Sequence, residues 1–119
     1  DNQYVIVAEK SSKICGFACT YGGHDKEYGS LLDNLHVSTT MRSKGIGATL
    51  LIRSAQWAFD QYPKCEFYLW LLLNNKRGIK FYERMGAKTG EPTFTETPGG
   101  GKATALRCWW SDMSAVARS

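Results

Sequence analysis

The sequence predicts an α/β domain of the α+β kind, with a mixed, mostly antiparallel sheet flanked by helices. Three observations carry this. Two β-rich runs stand close together at the start, one long amphipathic run follows, and a nearly unbroken apolar run comes after it. Closely spaced strands argue for a hairpin, and a strand covered on both faces loses its polar alternation. With 119 residues, the expected organisation is one domain over residues 1–119.

Tyr4–Glu9 reads as a strand through Val5, Ile6 and Val7, Ser11-Ser12-Lys13 as a turn, and Ile14–Tyr21 as the returning strand. Gly22–Gly29 holds three glycines among polar residues and reads as a loop. Ser30–Val37 is the third strand of a meander. Gly45–Tyr62 has helical periodicity, pairing Ile46 with Leu50 and Leu51 with Ala55, and Pro63 stops it. Cys65–Leu73 is the apolar strand. Lys76–Met85 has helix spacing, and Gly86 is placed as its C-terminal stop. Lys88–Glu96 and Thr104–Ser111, joined across Pro98-Gly99-Gly100-Gly101, form an expected last hairpin. Ser111–Ser119 shows no pattern and is expected to fray.

Composition narrows the classes. Apolar residues at 43% and aromatics at 13%, with four Trp, exclude a disordered chain. The longest apolar run, Leu69–Leu73, falls far short of the ~20 residues of a membrane span. The chain opens Asp1-Asn2-Gln3 without a charged-then-apolar leader, so a cytoplasmic setting is expected. The four cysteines have no zinc-site spacing and are expected to be free thiols, with Cys15 and Cys19 on one strand face. No metal is expected. The net charge of +4 suits an anionic ligand, and the local concentrations are Arg42–Lys44 and Lys76-Arg77.

The segment Leu32 to Gly47 carries chemistry. It is a strand, a polar loop reading Arg42-x-x-Gly45-x-Gly47, and a helix start. Glycines let backbone approach a ligand, and the free amides of a first helical turn make an anion site suited to a pyrophosphate. The loop is neither a Walker A loop nor a dinucleotide fingerprint. A second segment, Asn75 to Gly86, puts Asn75, Gly78 or Ile79, and Tyr82 on one helical stripe. That stripe offers an amide, a place without a side chain, and a phenol. Its bland alternative is a capping Asn75 with Phe81 and Tyr82 in the core.

Together these segments resemble the GNAT superfamily of N-acetyltransferases. The resemblance spans roughly Leu31 to Ala87. It implies a GNAT-like sheet, acetyl-CoA as acyl donor, and direct transfer of acetyl to a primary amine. It implies that backbone groups of Leu35, His36 and Val37 meet the acetyl and pantetheine portion. It implies that the amides of Arg42, Ser43, Lys44, Gly45, Ile46 and Gly47 cradle the pyrophosphate, and that Asn75 bonds the pantetheine arm. Tyr82 is implied as the acid that protonates the departing sulfur, and Asp33 as the acidic residue that helps deprotonate the amine. The departures are Gly78 where relatives often have Ala, and Ala87 where they often have an aromatic. The strand and two helices that usually come first in relatives are expected to be lacking, which leaves an open sheet edge and an expected homodimer.

A β-bulge near Asn34–His36 would change which face Asp33 shares with Leu35. His36 reads as a strand-face histidine, and Trp70, Trp109 and Trp110 as core or interface. The acceptor is expected to be a small-molecule or peptide amine. The alternatives are a catalytically degenerate CoA-binding or sensor module, and a nucleic-acid binder using Arg42, Lys44, Lys76 and Arg77. The last is disfavoured because no exposed aromatics interleave with those charges.

Overall fold

The structure is a computed structural model that describes residues 2–41, 45–96 and 99–116. Its strands are β1 (Gln3–Lys10), β2 (Lys13–Asp25), β3 (Gly29–Val37), β4 (Phe67–Leu72), β5 (Lys88–Thr89), β6 (Thr93–Glu96) and β7 (Lys102–Trp110). Helix α1 (Ile46–Gln61) lies between β3 and β4, and α2 (Lys76–Arg84) between β4 and β5. The strands form one sheet in the order β1-β2-β3-β4-β7-β5, with β6 also on β7. Every pair is antiparallel except β3 with β4. This is the mixed, mostly antiparallel sheet that the sequence predicts.

The β1–β2 turn is Ser11-Ser12, between the paired Lys10 and Lys13. Both serines have positive φ, 54° and 65°, the backbone of a type I′ hairpin turn. Two serines are costly occupants of that conformation. β2 runs on through Gly22 and Gly23 to Asp25, where the sequence predicts a loop. The reason is tertiary: the Tyr62 ring covers Gly22 so closely that a Cβ there would come within 2.0 Å of it. The turn itself is confined to residues 26–28, where Asp25 Oδ1 accepts the N–H groups of Glu27 and Tyr28 at 2.8 Å each.

α1 buries Ala48, Leu50, Leu51, Ser54, Ala55, Ala58 and Phe59 against one sheet face. It ends at Tyr62, whose N–H reaches Ala58 O at 2.8 Å, because the residue before a proline is pushed out of helical geometry. Trp57 on α1 stacks flat on Tyr4 of β1, with ring centroids 5.2 Å apart.

A bulge at Cys15 breaks the strand alternation, because Ala8 pairs with Gly16 while Glu9 pairs with Ile14. Cys15 and Cys19 therefore do not simply share a face. All four cysteines are free, with Cys15 and Cys108 buried. Of the stretch Ser111–Ser119 expected to fray, residues 117–119 lie outside the described residues, and residues 111–116 have defined structure. Asp112 caps a short 3-10 turn over Met113–Ala115, and Val116 enters the core. Trp110 is fully buried while Trp70 is 41% exposed, so the three tryptophans do not form one cluster. No helix among the described residues is long and apolar enough to cross a membrane.

Replacing Ser11 by Asn and Ser12 by Gly is expected to stabilise the fold by about 1 kcal/mol, because Asn-Gly adopts the type I′ turn at lower cost. Urea unfolding of the double variant against the parent reads this directly.

Candidate active site

The site starts from a failure of strand pairing. β3 and β4 pair only at Ser30 with Phe67 and at Leu31 with Tyr68. Beyond that point the parallel strands separate. On its other side β3 has a bulge: Cys19 pairs with Asn34 and Thr20 with Leu32, so Asp33 is the extra residue. A bulge bends its strand and increases its twist. This one lies slightly ahead of Asn34–His36, where the sequence raised it, and two residues past the last β3–β4 pair. The diverging edges turn backbone N–H and C=O groups toward the gap, where an extended, amide-bearing ligand can take the place of a strand.

The gap opens into a cleft of about 1000 Å³. Leu35, His36 and Val37 line it from β3, and Leu71 from β4. Gly45, Gly47 and Ala48 line it from the start of α1, and Asn75, Gly78, Phe81, Tyr82 and Met85 from α2.

Gly45 precedes α1 with φ 81°, a left-handed conformation that an L side chain adopts only with strain. The first helical bond runs from Thr49 N–H to Gly45 O at 3.0 Å. The amides at 46–48 come before it, so they point out of the helix end with the positive pole of its dipole. A Cβ on Gly47 would stand 3.5 Å from Phe81 Cζ and 3.7 Å from Val37 Cγ2. It would fit, but it would fill the floor of the cradle.

On α2, Asn75 Oδ1 accepts the Gly78 N–H at 3.0 Å. Asn75 thus caps the helix and lines the cleft at once, which combines the two roles the sequence left open. Tyr82 is 7% exposed and reaches the cleft wall. Its backbone is fixed by the helix end. Ala87 N–H bonds Tyr82 O and Gly86 N–H bonds Glu83 O, both at 3.0 Å, with Gly86 left-handed at φ 97°. This is a Schellman motif. Trp110 Nε1 donates to Met85 O at 3.0 Å, and the Trp110 and Tyr82 rings meet edge to face at 6.1 Å. Burial, and then the nearby Cys108, push the Tyr82 phenol well above its usual range, so it stays protonated at neutral pH.

Of the residues expected from sequence, the structure brings Leu35, His36, Val37, Gly45, Gly47, Asn75 and Tyr82 to one cleft. Ile46 lines a smaller groove between β1 and α1, which meets the cleft at Gly45. Asp33 is exposed on the bulge and is not part of the cleft lining. Its carboxylate is one of the groups that raise the Tyr21 phenol, after the Cys19 thiol and burial. Arg42, Ser43 and Lys44 lie outside the described residues. Sequence reasoning missed Leu71, Phe81 and Met85 as lining. Phe81 had a signal, because it is four residues from Arg77 and on the side of the helix next to Gly78. Among the described residues, no group of three or more His, Cys, Asp or Glu gathers as a metal site.

The acetyltransferase (GNAT) family model matches residues 1–87. The chain belongs to the GNAT acetyltransferase family. Solved structures share the GNAT fold at low identity. A Bacillus anthracis protein designated a streptothricin acetyltransferase, in complex with acetyl coenzyme A, superposes with TM-score 0.81 at 24% identity, over 93% of this chain and 63% of that one. The ribosomal-protein-alanine N-acetyltransferase of Brucella melitensis gives 0.76 at 20% identity, over 90% and 67%. A GNAT family acetyltransferase from Elizabethkingia anophelis with acetyl-CoA bound gives 0.71 at 14%, over 92% and 76%. The chain thus spans less than two thirds of the Bacillus anthracis protein. No curated protein matches it.

The GNAT core holds several titratable groups away from water, which favours their protonated forms. Burial raises Tyr68 from 10.0 to about 12, with Asp25 adding and Arg107 opposing. Burial also raises Cys108 from 9.0 to about 11, and Tyr82 moves the same way. Above pH 9 the unfolded chain releases the Cys108 proton, and above pH 10 those of Tyr68 and Tyr82, while the folded chain keeps them. Stability should therefore be full below pH 9 and fall as pH rises, first through Cys108 and above pH 10 through the two tyrosines as well. Urea midpoints at pH 7 to 11 test this, and Tyr82→Phe should flatten the part above pH 10.

Proposed function

We propose that the protein is an acetyl-CoA-dependent N-acetyltransferase that transfers acetyl to a primary amine by direct attack. The observation that carries this reading is the convergence of the β3–β4 opening, the first turn of α1 and the Asn75–Tyr82 face of α2 on one cleft. Family membership supports it.

In this reading the amides of residues 46–48, with Gly45 and the loop residues Arg42, Ser43 and Lys44, hold the pyrophosphate. The free edge of Leu35, His36 and Val37 bonds the pantetheine amides, joined by Asn75 through Nδ2, since Oδ1 serves the helix cap. The donor thioester then lies at the bulge. An amine of ordinary pKa ~10.4 must lose a proton before it attacks. Asp33 takes that proton, directly or through a water. The nitrogen bonds the carbonyl carbon, releases its second proton to water, and the carbon–sulfur bond breaks. A thiol near pKa ~8.5 leaves as thiolate, and Tyr82, kept protonated by burial, donates to the sulfur. A backbone N–H freed by the bulge stabilises the oxyanion between these steps.

The acceptor class is a small-molecule or peptide amine. Relatives of the same fold bear the names of both kinds, a streptothricin acetyltransferase and a ribosomal-protein-alanine N-acetyltransferase. A cytoplasmic location is proposed on the free cysteines. A homodimer through β1 is proposed on the exposure of Val5 (57%) and Val7 (48%) along a sheet edge. Sedimentation at micromolar concentration tests the dimer, and a single monomer boundary rejects it. The competing reading is a CoA-binding module without turnover. The position of Asp33 outside the cleft lining favours it.

Two variants separate these readings. Gly47→Asp should abolish CoA binding in calorimetry while leaving the unfolding curve in place, because the new carboxylate meets the phosphate at the helix end. Tyr82→Phe should keep CoA affinity and lower turnover by about 10²–10⁴-fold. Unchanged turnover would return Tyr82 to a packing role. Absence of acetylation across an amine panel, with CoA bound, would favour the binding module.

A further inference from the structure

Both helices pack on one face of the sheet. Ring contacts run from Phe59 of α1 through Phe67 and Trp110 to Tyr82 of α2. Leu69 and Leu71 of β4 belong to that packed face. Trp70, between them, therefore points to the opposite face, where it is 41% exposed.

Trp70 pairs with Arg107 of β7, and cross-strand partners share a face. The Arg107 guanidinium lies between two rings, 4.2 Å from the Trp109 centroid and 4.3 Å from that of Tyr28. Tyr28 also meets Tyr68 at 5.5 Å and Trp70 edge-on at 5.9 Å. The Arg107 backbone is held as well, because Gly90 N–H donates to its carbonyl at 2.9 Å. One guanidinium nitrogen, Nη1, is shut off from water and has no hydrogen-bond partner among the described residues. Asp25 shares this neighbourhood, since it acts on the Tyr68 phenol in the sense opposite to Arg107. Its Oδ1 is engaged by the Glu27 and Tyr28 N–H groups. Arg107 is thus a cation fixed by stacking and poorly hydrated. A guanidinium in that state loses little freedom or solvation when a carboxylate meets its remaining donors.

Its place gives it a use. β3 and β4 part after Leu31 and Tyr68. Asp33 and Trp70 stand two residues further on, one on each side of the opening, and Arg107 continues the row on the next strand. A donor in the cleft occupies the helical face, so an acceptor reaches the thioester from this one.

We propose that Arg107 holds a carboxylate of the acceptor, whose reacting amine lies about two residues' length away, at the opening. This rests on the reading that the cleft holds acetyl-CoA. Adjacent strands are ~4.8 Å apart, so the opening and Arg107, with β4 between them, are roughly 7–10 Å apart. A guanidinium clamped by two rings does not shorten that distance. Two extended residues span about 7 Å. A dipeptide fits from terminal amine to carboxylate, and so does a straight-chain amino acid with its amine at the far end. An α-amino acid is too short, and an amine without a carboxylate leaves Arg107 unmatched. The exposed Trp70 ring lies along the path and offers contact to the chain between.

The test is steady-state acetylation of matched acceptors, dialanine against its C-terminal amide and δ-aminovalerate against pentylamine. The parent should prefer the carboxylate-bearing member of at least one pair by about tenfold or more in kcat/KM, mostly through KM, and alanine should be a poor acceptor. Preference in the first pair alone identifies a peptide acceptor, and in the second alone a distal amine. Arg107→Gln should abolish the preference, and Arg107→Lys should restore part of it. Equal kcat/KM within both pairs in the parent would overturn the proposal, with no variant needed, and leave the N-acetyltransferase reading standing. A preference that survives in Arg107→Gln, with both members of a pair slowed alike, would also overturn it, because Arg107 would then serve only the fold. If CoA bound and no amine were acetylated, the N-acetyltransferase reading would fall, and this proposal with it.

Discussion

The bulge at Asp33 is the constraint on which the rest depends. Up to Leu31, β3 pairs with β2 on one side and β4 on the other. One extra residue then bends β3 while its pairing with β2 continues, and the link to β4 ends. The junction just below is tight. Ser30 N–H bonds Glu66 O at 2.8 Å, and a Cβ on Gly29 would come within 2.3 Å of the same oxygen. Gly29 also has φ 93°, so no other residue fits there without strain. Held at its base and bent above it, the strand pair opens like a hinge fixed at one end. The cleft, the exposed strand edges and the entrance to α1 all follow from that opening.

Tyr82 illustrates how burial and chemistry support one another. Its ring is part of the core with Trp110 and Phe81, so the bland reading of the sequence is correct as far as it goes. The same burial raises its phenol and keeps the proton on. Trp110 adds direction, because its indole N–H on Met85 O fixes the last turn of α2. A core position and a cleft position need not exclude each other on a helix that forms the wall of the site.

The elements set by local signals were legible in the sequence. The helical periodicity of Gly45–Tyr62, the proline after it and the apolar run Cys65–Leu73 each act over a few residues, and α1 and β4 appear within two residues of those bounds. The features set by partners were not. Gly22 and Gly23 read as a loop, yet the Tyr62 ring overhead makes their small size the reason β2 continues. The position of the bulge depends on the β2 register, which no pattern within β3 encodes. Spacing puts Asn75 and Tyr82 on one helical stripe, and both line the cleft. Phe81 was missed because its role depends on Gly47, on a helix some thirty residues earlier.

Helix α2 joins these themes. Its own sequence is weak, with Gly78 in the first turn, a residue of low helix propensity, and Lys76 and Arg77 at the positive end of the dipole. It is held from outside its hydrogen-bond ladder, by the Asn75 cap, the Schellman turn at Gly86 and the burial of Tyr82 and Met85. Ala at 78 would not simply mend it, because the new Cβ would stand 2.7 Å from Asn75 Nδ2 and displace the cap. The gain in helix propensity would be offset by a lost cap of about 1 kcal/mol, and Asn75 would leave the position from which it faces the cleft.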